Sequence, residues 1–185
     1  MNTFQVKSGA INITDPCYNK TTWCALFKQP AKNGTWEAEV ETEESEGRVA
    51  HLRAYHTDHA IYSRPSDQLD SVGVDSGQMS IIDSGTYPEG EETGECGNFG
   101  DKERVPVSFY DECAKATLSE DMFGIVSKYG SGAVSSTGYG DGSYAVYVEK
   151  EGEEIVAVEI VFIDQEAEVC MNCVEELAEC NEECE

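Results

Sequence analysis

Basic residues are scarce in this chain. Lys and Arg number 12 against 37 Asp and Glu, so 185 residues carry a net charge of −25. That scarcity excludes a direct grip on a nucleic-acid backbone, where affinity comes from Lys and Arg releasing counterions. It also disfavours docking on an anionic membrane. No run of about 18 apolar residues occurs, so no membrane-spanning helix is expected. The first ten residues, MNTFQVKSGA, have neither a basic n-region nor an apolar h-region, so no secretory leader is expected. A cytoplasmic location follows as the expectation, and with it reduced rather than paired cysteines. Also missing are an EF-hand loop, a G-x-S-x-G elbow, an H-E-x-x-H helix and any internal repeat. A nucleophile at Cys17 or Ser76 would need a base brought from elsewhere in the fold.

What is present fits one core. The hydrophobic fraction is 39% and the mean hydropathy is −0.44. Length alone predicts one domain, with room for an appendage. The charge places the boundary. Residues 164–185 hold nine acids and no base, leaving 28 acids against 12 bases in residues 1–163. We therefore expect a single β-rich domain over 1–163 and an acidic, Cys-rich extension over 164–185. The acid has two readings: a solvated segment that aids solubility, or a face that mimics a polyanion and binds a basic partner.

The pattern is mainly β. Ile11 and Ile13 alternate with polar residues until Asp15-Pro16 breaks the strand. Trp36, Ala38 and Val40 alternate with Glu37, Glu39 and Glu41, which predicts a half-buried strand with an acidic outer face. A second strand follows Gly47, with Val49, His51, Arg53 and Tyr55 on one face and Ala50, Leu52 and Ala54 on the other. Residues 57–69 read as a loop. Short strands at 71–74 and 79–82 flank the turn Asp75-Ser76-Gly77. Residues 84–106 read as a long irregular loop, 109–118 as a short helix and 122–129 as a strand. Tyr144, Val146 and Val148 begin a hairpin whose return strand, 155–163, is apolar enough to be central in a sheet. The extension has helix formers and neither Gly nor Pro, which suits an acidic helix or a disordered segment that folds on contact. The expected fold is thus a β-sandwich or curved antiparallel sheet, one or two short helices, and an acidic tail.

Four constellations carry chemistry. Cys170, Cys173, Cys180 and Cys184 fall on one helical stripe joined by Leu177. They form a thin apolar seam for docking, on the body or on a second copy, or four thiolate ligands for zinc. A straight helix cannot converge them, because the inner gap of seven residues spans about 10 Å. His51, His56 and His59 lie close in sequence around Asp58. They read as surface or hydrogen-bonded histidines, or as a metal pair, although His51 and His56 point to opposite faces of a strand. Asp15, Asp75 and Asp141 each sit in a turn. Such residues usually bond their own turn, but three carboxylates converging at one sheet end would hold Mg²⁺ or Ca²⁺. Finally, the Gly/Ser/Tyr-rich stretch 130–144 reads as a loop whose amides and hydroxyls cradle a ligand, or as a tight hairpin. Its candidate ligand-binding residues are Ser135, Ser136, Thr137, Tyr139, Asp141 and Tyr144, with Tyr18, Trp23 and Asp75 beside them.

The segments SGAINITDPCY (8–18), GRVAHLRAYH (47–56), VGVDSGQMSIID (72–83) and SSTGYGDGSYAVYVEKEGEEIVAVEIVFI (135–163) resemble a family of uncharacterised small proteins from bacteriophages and bacteria, a domain of unknown function. The Cys-rich tail lies outside that resemblance. The resemblance implies a small soluble protein, phage-encoded, working in the host cytoplasm, and supplies no catalytic residues.

The function expected from these features is non-catalytic binding that sequesters or inhibits a host factor, such as a component of host defence. The target is a basic protein surface or a small nucleotide-type signal held by the 130–144 stretch. Two other classes stand beside it: a metal-dependent hydrolase built on Asp15, Asp75 and Asp141, and an assembly protein that forms homo-oligomers through its cysteine-bearing tail.

Overall fold

A computed structural model of the chain describes residues 2–18, 23–59, 64–88, 109–128 and 130–164. Eleven strands and one helix are found among them: β1 (Thr3–Val6), β2 (Ala10–Thr14), β3 (Ala25–Pro30), β4 (Gly34–Thr42), β5 (Val49–His56), β6 (Asp67–Val74), β7 (Gln78–Asp83), α1 (Phe109–Thr117), β8 (Phe123–Val126), β9 (Gly132–Ser136), β10 (Gly142–Glu151) and β11 (Glu154–Val161). They form two antiparallel sheets, one of six strands in the order β1-β4-β5-β11-β10-β6 and one of five in the order β3-β2-β7-β9-β8. The mainly β expectation holds.

Alternation sets the registers. Trp36 and Ala38 face inward from β4, opposite His56 and Ala54 of β5, while Glu39 and Glu41 face outward opposite Arg53 and His51. The apolar strand β11 lies between β5 and β10, as its composition predicts. One continuous core takes Trp36, Leu52, Val72, Val146 and Ile160 from the larger sheet and Ile11, Ile13, Met79 and Ile81 from the smaller. Each such side chain removed from water contributes about 1.5–3 kcal/mol before chain entropy is counted.

The strands flanking Asp75-Ser76-Gly77 do not pair with each other. β6 is the edge of the larger sheet and β7 the centre of the smaller, so these residues carry the chain from one sheet to the other. Gly77, at φ 67°, permits the reversal. We call this end of the sandwich the crossover end. The termini of β2, β4, β9 and β11 and the starts of β3, β5, β7, β8 and β10 lie there as well.

Helix α1 covers the outer face of the smaller sheet. Phe109 and Cys113 pack with Tyr87, Ile82, Val126 and Val134 in a second apolar cluster. Asp111 and Glu112 stand in its first turn and Lys115 in its last, the polarity that favours a helix dipole. The Glu112 carboxylate also accepts from the N–H groups of Ser127 and Lys128, both at 3.0 Å.

Several expectations need correction. Residues 67–69 belong to β6 rather than to a loop. The strand expected over 122–129 is shorter, Phe123–Val126. Strands β1 and β3 carried no recognised signal, and β9 runs through the stretch read as a Gly/Ser/Tyr loop. Most of the 84–106 loop and the extension from residue 165 onward lie outside the described residues.

Candidate functional site

The three Asp-bearing turns meet at the crossover end. Asp15 is fully buried. Its Oδ1 accepts from the Cys17 N–H at 2.9 Å and the Ser76 hydroxyl at 2.6 Å. Its Oδ2 accepts from the N–H groups of Asp75 and Ser76, both at 2.8 Å. One carboxylate therefore closes its own turn and fastens it to the crossover. The third turn lies alongside: a Cβ on Gly77 would fall 4.0 Å from the Gly140 Cα. That turn is closed by Gly140 N–H to Thr137 C=O at 2.7 Å, by the Thr137 hydroxyl to Gly140 C=O at 2.9 Å, and by the Tyr144 hydroxyl to Gly140 C=O at 2.7 Å.

Convergence does not make a divalent-metal site. All the donors on Asp15 are N–H and O–H groups, and Asp141 is exposed. Among the described residues no three His, Cys, Asp or Glu side chains group to hold a metal ion. The histidines separate as well. His56 is buried, with its Nδ1 accepting from the Asp58 N–H at 3.1 Å and its Nε2 donating to the Asn33 carbonyl at 3.0 Å. His59 lies against Glu149 and Glu151, at 3.2 and 3.5 Å. His51 faces Glu159.

The candidate ligand residues divide into two groups. Ser135 is buried on the inner side of β9, opposite Met79, and offers nothing to a ligand outside. Ser136 is half-buried, and its N–H is taken by the Met122 carbonyl at 2.9 Å. Thr137 and Tyr144 are spent on their turn, with the Tyr144 ring packed edge-on to Phe162 at 5.1 Å. The stretch 130–144 is thus a strand and a tight turn, not an open cradle. Tyr18, Trp23, Asp75, Tyr139 and Asp141 stand at the surface. The Tyr18 hydroxyl donates to Asp75 Oδ2, and the Cys24 thiol lies 3.7 Å from the same oxygen. That bond, with burial and the carboxylate's charge, pushes the Tyr18 hydroxyl pKa up. Burial, reinforced by Asp75 and Asp15, pushes the Cys24 thiol up to about 12. Cys24 is therefore a neutral thiol at physiological pH, and not a ready nucleophile. Cys17 is disulfide-bonded, against the expectation of reduced cysteines, while Cys24 and Cys113 remain thiols. Cys170, Cys173, Cys180 and Cys184, with the zinc and seam readings attached to them, lie outside the described residues.

Trp23 (61% exposed), Leu118 (82%) and Tyr139 (65%) are the exposed large hydrophobics of the described residues. All three sit in connections at the crossover end. Leu118 lies in the turn from α1 to β8, whose Met122 carbonyl receives the Ser136 N–H. Tyr139 carries the Arg48 guanidinium over its ring at 5.1 Å. Exposed acids surround them: Glu44, Asp75, Glu120, Asp121, Asp141 and Asp164. Among the described residues of these connections Arg48 alone is basic, and Glu46 pairs with it at 2.6 Å.

A second polar cluster escaped the sequence reading. On the outer face of the larger sheet Glu159 is 2% and His51 3% exposed. Glu159 Oε1 lies 3.0 Å from His51 Nδ1 and 2.7 Å from Arg53 Nε, and Glu41 Oε2 bridges Arg53 and Arg64 at 2.6 and 3.0 Å. Burial pushes the Glu159 carboxyl up. The contacts from His51 and Arg53 outweigh it, so the carboxyl lies below its ordinary range. The alternation showed an acidic face on β4 and an Arg on β5. It did not reveal the acid inside the apolar strand β11 that completes the network.

The fold and this end of it define a class, a two-sheet β-sandwich with an acidic, aromatic rim. A family model described as a protein of unknown function, DUF4241, matches residues 4–161, and the chain belongs to that family. No curated protein and no solved structure matches the chain. No helix among the described residues is long and apolar enough to cross a membrane.

Proposed function

We propose that this chain is a non-catalytic binding protein whose crossover end docks on a basic protein surface and sequesters its bearer. The observation that carries the reading is the gathering of Trp23, Leu118 and Tyr139 at the end where the family-bearing turns converge. Exposed aromatics supply anchors at interfaces. The ring of acids around them, in a chain of net charge −25, steers a cationic partner and repels an anionic one. Charge therefore favours the basic surface over a nucleotide-type ligand. The proposal includes a phage origin, taken from the sequence resemblance, in which a small protein that occupies a host factor needs no chemistry of its own.

The two tryptophans supply the test. Trp36 is fully buried and Trp23 is exposed, so acrylamide quenching reports Trp23 almost alone. A mixed Lys/Arg peptide should protect Trp23 from acrylamide at about 10 mM salt, where the screening length is about 30 Å. The protection should fade as salt rises, and an acidic peptide of equal length should give none. If the basic peptide leaves Trp23 as accessible as before, this end is not the docking face.

A further inference from the structure

We propose that Trp23 and Asp75 form a recognition notch for one arginine side chain of the partner. The inference rests on the docking end proposed above and names what that end grips.

Trp23 is held at the edge of the larger sheet by backbone and ring together. Its carbonyl accepts from the Gly73 N–H at 2.9 Å. A Cβ on Gly73 would fall 2.0 Å from the indole Cε3 and 2.1 Å from Cζ3. The indole thus packs against the glycine backbone, and only the absence of a side chain at 73 allows it. The ring covers Gly73 and Trp23 still remains 61% exposed. Two residues along, Asp75 sits just past the end of the same strand, on the side to which residue 73 points. The Tyr18 hydroxyl and the Cys24 thiol both approach Asp75 Oδ2. Those contacts fix the carboxylate's orientation, and Oδ1 takes no hydrogen bond from any described residue. An exposed aromatic ring on Gly73 and an oriented carboxylate two residues along suit a guanidinium, which stacks on the ring and donates N–H in its own plane. The chain already builds one such pairing internally, Arg48 over Tyr139 with Glu46 on the guanidinium. Among the described residues no cation lies over Trp23, and a partner would supply one. An ammonium group, round and strongly hydrated, fits a flat stack less well.

The full chain is titrated calorimetrically with blocked hexa-arginine and blocked hexa-lysine at low salt. Five proteins are compared: wild type, Trp23→Ala, Trp23→Leu, Asp75→Asn and Glu153→Gln. Glu153 is exposed in the hairpin turn at the opposite end, so its variant controls for the loss of one negative charge. Hexa-arginine should weaken about tenfold with Trp23→Ala and about fivefold with Asp75→Asn, and should be unchanged with Glu153→Gln. Hexa-lysine should bind wild type several-fold more weakly and ignore Trp23→Ala. Trp23→Leu, which keeps apolar area without the aromatic face, should behave as the alanine variant does. Equal urea midpoints in all the proteins show that the fold is kept. If hexa-arginine binds wild type and every variant alike, the notch is refuted and the acidic docking end stands. Equal grip on the two peptides shows a charge-only contact and likewise refutes it. If neither peptide binds wild type, the docking end itself falls.

Discussion

Replacing Asp15 by Asn tests whether one buried carboxylate ties the two sheets together. The change keeps size and shape and turns one oxygen into NH₂. The best arrangement leaves the amide oxygen toward the Asp75 and Ser76 N–H groups, both now at 2.8 Å. The NH₂ then faces the Ser76 hydroxyl, which can rotate to accept, and the Cys17 N–H, which cannot. A stranded buried N–H costs about 1–3 kcal/mol. The retained bonds also lose their charge-assisted character, which makes them roughly twice as strong as neutral ones. Together these give about 3–4 kcal/mol, a large share of the stability of an ordinary domain, about 5–15 kcal/mol. With a urea m-value of about 2 kcal/mol/M, the midpoint should fall by about 1.5–2 M at unchanged m. Emission from buried Trp36 follows the transition. Asp15→Ala strands all four donors and should cost more, about 5 kcal/mol. Ser76→Ala removes a single hydroxyl bond and should cost about 1 kcal/mol. A midpoint for Asp15→Asn within about 0.5 M of wild type would mean that the crossover is held by something else.

Three further outcomes are expected. Glu159 has its folded pKa below the ordinary carboxyl value of about 4.3, so its contribution is fully present above that value and is lost as pH falls through the folded pKa. Urea midpoints measured down the acid limb should fall more steeply for wild type than for Glu159→Gln, and at neutral pH the variant should be about 3–5 kcal/mol less stable, since Arg53 and His51 lose their partner; parallel acid limbs refute the linkage. Cys24 and Cys113 are buried thiols whose pKa values burial raises, so both should resist a disulfide reagent at pH 8 in native protein and react on unfolding, and prompt native labelling of either contradicts the packing. A Cβ on Gly132 would fall 2.2 Å from the Ile81 carbonyl and 2.5 Å from Ile82 Cδ1, so Gly132→Ala should destabilise by about 2–3 kcal/mol, whereas Gly47→Ala, with nothing within 4 Å but φ at 70°, should cost about 1 kcal/mol; the reverse ranking in thermal melts would count against the β7–β9 register.

Strong periodicity was legible. The alternation of Trp36, Ala38 and Val40, the hairpin of β10 and β11, and the helix at 109–117 all follow from side chains that choose a face. The strands that escaped are made by their neighbours instead. In β9 the short run GAVSS is held between β7 and β8, and Gly132 has no room for any side chain. β3 lies at a sheet edge, where Pro30 is tolerated and one face answers to solvent. The meeting of Asp15 with Asp75 and Ser76 joins residues about 60 positions apart, and no local pattern announces it. The turn chemistry was legible all the same, since an Asp before Pro closing its own turn is what Asp15 does at Cys17. Missing from the sequence was the use of its second oxygen.

The passage from β6 to β7 also determines how the chain can be divided. Neither sheet is a contiguous stretch of sequence. The larger draws on strands from Thr3 to Val161, and the smaller takes β2 and β3 from before the crossover and β7, β8 and β9 from after it. A break in the turn at residues 75–77 would leave the first fragment with β6 separated from β5, because β10 and β11 stand between them. The second fragment would have β7 with one flank bare. Two such halves should be unfolded apart and regain structure only when mixed, which makes the crossover a natural position for a split reporter of this domain. The family match, from residue 4 to residue 161, has the extent that such interleaving demands: it begins in β1 and ends with β11, and trimming it from the C-terminal side would take β11 out of the middle of the larger sheet.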